Sequence, residues 1–189
     1  MSMQIRVKVK VVSHTKDGKI KKVVEKDGDL ILDNFAYFLR LIFVPIDYQG
    51  VYQETELTDV TGEKRTIEAG HDAYCWDYCA YSVKEFNVET GFGSTPPSNT
   101  DYSLENPQGR ARAEIYSLEK LSDRIRIVLR GSVSVPSSGT VWEVGLSLRC
   151  TDTTGGAKRF LLCRDVLSEG LEVVAGEYVT VYYTIEFIR

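Results

Sequence analysis

The chain has 189 residues, enough for one domain with a sizeable core and too few for two full ones. With 43% hydrophobic and 26% charged residues it has globular composition, and its formal charge of −4 argues against a whole-surface nucleic-acid binder. Only two His are present, His14 and His71, so a His-based triad or a three-His zinc site lacks material.

The first residues, MSMQIRVKVKVV, contain no apolar stretch of the secretory kind. The longest apolar run, Leu39–Pro45, is broken by Arg40 and is too short for a bilayer. Synthesis in a cytoplasm without membrane insertion is therefore expected. The four Cys (Cys75, Cys79, Cys150, Cys163) read as thiols, not as a disulfide framework.

Ile5, Val7, Val9 and Val11 alternate with Arg6, Lys8 and Lys10, which predicts a half-buried strand. Lys16-Asp17-Gly18-Lys19 turns it back into a second strand, Ile20–Lys26. Asp33 or Asn34 caps a helix with apolar positions Phe35, Phe38, Leu39 and Ile42, and Pro45 stops it. Val51–Val60 and Arg65–Glu68 read as strands around Thr61-Gly62-Glu63, and Tyr81–Glu89 as another. Residues 70–80 are aromatic and irregular, and Gly91–Thr100 is a loop by composition. Beyond Arg112 the pattern is all β: Ala113–Leu118, Arg124–Val135, Val141–Cys150, Arg159–Leu167 and a final alternating strand from Tyr178 to Phe187. Short strands at this spacing predict an all-β, antiparallel β-sandwich, jelly-roll-like, with an N-terminal hairpin and one short helix. Residues 1–45 form a hairpin–helix arm and 46–189 the sandwich core, together one domain. Strand Gln4–Val12 is expected at an edge, where deleting residues 1–13 would weaken assembly more than folding.

His71, Cys75 and Cys79, with Asp72 and Asp77 nearby, have the spacing of a metal cluster. Structural zinc sites pair two such clusters and no second pair exists, so a packed aromatic loop is the favoured reading. No metal, cofactor or catalytic residue is assigned. Pairing around Thr154-Gly155 sets Cys150 opposite Arg159 and Cys163 opposite Leu146, too far apart for a disulfide. Gly91-Phe92-Gly93 lacks the third Gly, the Lys-Ser/Thr pair and the helix of a phosphate loop. The carboxylate pairs Glu54/Glu56 and Glu143/Asp165 read as a solvated strand face and as neighbours of a Glu143–Arg164 cross-strand ion pair. Residues 1–28 carry eight Lys/Arg and three Asp/Glu, a net +5 that leaves −9 on the remainder. That split suits head-to-tail association, with no direct nucleic-acid contact expected.

Four stretches resemble, in order and wording, motifs of β-rich virion proteins of tailed phages and some archaeal viruses. They are Gly91–Leu104 (GFGSTPPSNTDYSL), Trp142–Leu146 (WEVGL), Leu161–Val166 (LLCRDV) and Val174–Phe187 (VAGEYVTVYYTIEF). The resemblance covers roughly 50–189, with the helix loosely included. It implies a non-enzymatic virion subunit in a tail, fibre, adaptor or capsid-surface position, whose partners are further copies of itself and other virion proteins. A glycan- or receptor-binding module using residues 70–81 and 136–140, and a filament subunit using strand donation, are the alternatives.

Overall fold

Thr15-Lys16-Asp17-Gly18-Lys19 bends the first alternating run back on itself. The result is the hairpin β1 (Gln4–His14) and β2 (Ile20–Asp27). This is a computed structural model, and it describes residues 4–28, 30–43, 53–68 and 85–188. The chain continues as β3 (Leu30–Ile31), α1 (Asp33–Phe43), β4 (Glu54–Thr58), β5 (Lys64–Glu68), β6 (Glu85–Gly91) and β7 (Pro107–Arg112). Then follow β8 (Glu114–Lys120), β9 (Arg124–Ser134), β10 (Gly139–Thr151), β11 (Ala157–Val173) and β12 (Tyr178–Ile188).

The strands form two five-stranded antiparallel sheets, β2-β1-β12-β9-β8 and β3-β11-β10-β6-β7, with β4–β5 as a separate ribbon. The all-β sandwich is as expected from the sequence. The jelly-roll path is not matched by this order. A jelly roll sends most sequence neighbours to opposite sheets, whereas β1–β2, β6–β7, β8–β9 and β10–β11 each stay within one sheet.

One core joins the sheets. Val9 and Val11 of β1, Val181 and Tyr183 of β12 and Leu129 of β9 meet Leu146 and Leu148 of β10 and Phe160 of β11. Burying each such side chain contributes about 1.5–3 kcal/mol. Lys21 closes one flank, reaching Glu177 at 2.6 Å and the Glu172 carbonyl at 3.1 Å. Lys26 donates to the Val166 carbonyl at 2.7 Å.

The position of β1 is a correction. It is not an edge: it pairs with β2 on one side and along its whole length with β12 on the other, and β2 is the outer strand. Alternation reports that one face is buried, which holds for an interior strand of a half-covered sheet as well as for an edge. Helix α1 forms over the predicted segment, but among the described residues Asp33 and Asn34 make no side-chain bond to the helix's own N–H groups, and Pro45 lies outside the described residues. Buried Asn34 ties its start down: Nδ2 donates to the carbonyls of Thr58 (2.8 Å) and Leu161 (3.1 Å), and Oδ1 accepts from Thr58 N–H (2.9 Å). His71, Cys75, Cys79 and the rest of 70–81 lie outside the described residues.

Candidate functional site

The densest set of polar contacts lies on the outer face of β10 and β11. Glu143 projects there and is fully buried. One carboxylate oxygen, Oε1, accepts from Gly93 N–H (3.1 Å) and Asn106 N–H (2.8 Å). The other, Oε2, accepts from Glu105 N–H (3.1 Å) and from Arg164 Nε (2.9 Å). Arg164 Nη1 then donates to Asp101 at 2.8 Å, and Asp101 accepts from Ser98 N–H at 2.9 Å. Burial opposes the charge on Arg164, but the bonds to Asp101 and Glu143 outweigh that and raise its pKa. Thr95 donates its N–H and hydroxyl to Glu105, and these bonds hold that carboxyl below its usual range. Leu104 packs into a small apolar cluster with Leu32 and Leu161.

Together these contacts clasp the loop 92–106 onto the sheet. Three stretches distant in sequence meet here: the Gly/Pro loop, the segment around Glu143 and the segment around Arg164. The glycine at 91 has a steric reason, since a Cβ there would run into the Glu143 carboxyl. Of Gly91-Phe92-Gly93, Gly91 ends β6, Phe92 N–H donates to the Asn106 carbonyl (2.9 Å) and Gly93 N–H alone donates to the protein's own Glu143.

A second buried acid adjoins the clasp. Glu89, 4% exposed, accepts a short hydrogen bond from Ser147 and lies 3.3 Å from Arg159 Nε. Burial raises its pKa, against the pull of Ser147 and Arg110. Glu89 and Glu143 face protein rather than an open cleft, so the arrangement positions chain rather than substrate.

What the clasp positions is one wall of a groove of about 660 Å³. Asn99–Asp101 form that wall, Asp33 and Tyr37 of α1 a second, and Glu54 and Glu56 of β4 a third. Glu54 and Glu56 are both exposed, as their shared strand face predicts.

The Glu143–Arg164 pair is as expected. Glu143 and Asp165 are not brought together: Asp165 points into the sandwich, where it accepts from the Tyr183 hydroxyl at 2.8 Å. Cys150 and Cys163 are both buried and are not bridged to one another, as expected. Cys163 pairs with Leu146, whereas Cys150 sits opposite Lys158 instead of Arg159, because the register shifts between Leu146 and Ser147. His14 stacks on Tyr178 with ring centroids 4.5 Å apart. Ser138, in the loop 136–140, accepts from Ala175 N–H at 3.0 Å. Among the described residues no three His, Cys, Asp or Glu side chains gather as a metal site.

Sequence reading passed over two turn carboxylates, although Asp59-Val60-Thr61-Gly62-Glu63 and Asp152-Thr153-Thr154-Gly155-Gly156 share a D-x-T-G pattern. In both, the Asp accepts from the residues two and four positions on, and the Gly takes φ of 86° and 85°. The two hairpins are stitched together by Val60 N–H to the Arg159 carbonyl (3.0 Å) and Thr153 N–H to the Thr66 carbonyl (3.0 Å). Burial acts to raise the Asp59 pKa. The Thr61 hydroxyl, Arg65 and the N–H groups of Thr61 and Glu63 outweigh it and hold the value at about 2. A depressed carboxyl stabilises the fold above its unfolded pKa of 3.8 and loses that contribution as pH falls toward about 2. Asp59→Asn is expected to destabilise by about 1–2 kcal/mol at neutral pH. In urea melts at descending pH the wild-type and variant stabilities converge within that window; curves that stay parallel would refute the assignment.

No protein-family model, curated protein or solved structure matches this chain.

Proposed function

We propose that this protein is a non-enzymatic structural subunit of a virion. It assembles through contacts between its own copies and with other virion proteins, in a tail, fibre, adaptor or capsid-surface position. The observation that carries the assembly reading is strand β8, the outer strand of the first sheet. Ile115 and Leu118 are each 66% exposed and Leu121, just beyond the strand, 40%. Apolar side chains this exposed along one edge mark a surface that is covered in an assembly. Edge strand β2 likewise exposes Ile20 and Val23, between Lys21, Lys22 and Lys26, whereas β7 starts at Pro107 and contains Gly109 and β3 has two residues. The virion assignment is supported by the motif resemblance, for which the clasp supplies a physical reason: a rigid loop presented beside a groove. Among the described residues no helix is long and apolar enough to cross a membrane.

Size-exclusion chromatography with light scattering tests the reading. The expected result is a mass several times that of one chain, shifted toward monomer by Ile115→Lys with Leu118→Lys. A wild-type protein that stays monomeric at every concentration would overturn it.

A further inference from the structure

The outer face of the first sheet holds a second groove, of about 540 Å³, that the clasp does not touch. Tyr116 and Tyr182 form one wall, with ring centroids 5.6 Å apart and planes at 82°. Tyr116 stands out from the sheet because of a β-bulge. Ile115 pairs with Leu129 and Ser117 with Val128, which leaves Tyr116 as the extra residue. The residue is 57% exposed, and the Arg130 guanidinium lies 4.8 Å from the ring centroid. Such a contact braces the ring without burying it. Val128 and Thr184 contribute the floor, and β1 and β2 the opposite wall.

That opposite wall mixes donors and acceptors. Lys10 is bound to Glu25 at 2.7 Å, while Lys8 is exposed and has no carboxylate partner among the described residues. Lys8 and Lys10 of this wall stand against Glu25 and Asp27, while the Lys26 ammonium turns away to the Val166 carbonyl at 2.7 Å. A ligand for this groove needs a flat apolar face for Tyr116, negative charge for Lys8, and O–H donors for Glu25 and Asp27. A phosphodiester backbone has charge but no O–H groups to offer the two carboxylates. A purely apolar ligand offers no counter-group to Lys8 or Asp27 of the far wall.

We propose that this groove binds an acidic saccharide. One pyranose ring stacks on Tyr116, its carboxylate or sulfate meets Lys8, and its hydroxyls donate to Asp27 and Glu25. The groove shares strand β8 with the assembly reading but uses Tyr116, not the Ile115 and Leu118 side chains that carry that reading, and Ile115→Lys with Leu118→Lys should leave saccharide binding unchanged.

The probe is tetragalacturonate, titrated into the full chain by calorimetry, with maltotetraose as its uncharged counterpart and oligo-dT as a polyanion without sugar hydroxyl donors. Tetragalacturonate is expected to bind and maltotetraose to bind far more weakly. Tyr116→Ala and Lys8→Glu should each weaken binding about tenfold. Tyr102→Ala, an exposed tyrosine elsewhere, should leave it unchanged. Circular dichroism checks that the variants fold, which the exposure of Tyr116 and Lys8 favours. The proposal is overturned if tetragalacturonate does not bind, if both variants bind it as wild type does, or if oligo-dT binds more tightly through the same two residues.

Discussion

Glu143→Ala is expected to destabilise the protein by about 3–5 kcal/mol, the cost typical of leaving a buried charge without its partner. Arg164 would keep Asp101 at 2.8 Å and Glu105 at 3.7 Å, and the N–H groups of Gly93, Glu105 and Asn106 would lose the carboxylate they share. Denaturant unfolding measures the loss, and amide hydrogen exchange at residues 93, 105 and 106 locates it. The double variant Glu143→Leu with Arg164→Met separates two explanations. A simple buried ion pair can be exchanged for apolar side chains at little cost. Here the three backbone donors remain without an acceptor, each at about 1–3 kcal/mol if it stays buried. The double variant should therefore stay well below wild type, with fast exchange across the loop. Recovery to wild-type stability would show that the loop does not depend on Glu143.

Deleting residues 1–13 is expected to abolish cooperative folding, the reverse of what an edge strand would do. Strand β1 contributes buried Val7, Val9 and Val11 and hydrogen-bonds to β2 and β12. The three valines alone represent roughly 5–9 kcal/mol of burial. That is comparable to the whole stability of a typical domain, about 5–15 kcal/mol. The deletion would also expose the inner face of β12 around Val181 and Tyr183. Far-UV circular dichroism with urea titration should show no sigmoidal transition. A truncated chain that unfolds cooperatively and fails only to assemble would restore the edge interpretation. The milder Val9→Ala should cost about 1–3 kcal/mol without changing the fold.

Much of this was legible residue by residue. The alternation in β1 and β12, the Gly18 turn and the apolar face of α1 each arise within about ten neighbouring residues, so side-chain chemistry alone predicts them. The Glu143–Arg164 pair was legible as well, because one short hairpin sets its register. The sequence also determined that Cys150 and Cys163 stay apart, although a register shift moved the partner of Cys150. Strand β7 has no sequence signature, since Pro107 and Gly109 are poor strand formers, and β3 is too short for any periodicity.

Tertiary structure decided the rest. Side-chain alternation states which face of a strand is buried, but the ladder beside it is made by N–H and C=O groups that nearly every residue carries. The neighbours of β1 were therefore not written in its own residues, and β12 arrives from the far end of the chain. The same holds for the clasp. That Glu143 carries a charge is plain from the sequence, but its acceptor oxygens are filled by main-chain donors at 93, 105 and 106, which have no side-chain signature. Only the folded path of the loop brings them within 3.1 Å. Tyr116 is a third case: the bulge that lifts it from the sheet depends on its pairing with β9, not on the tyrosine itself.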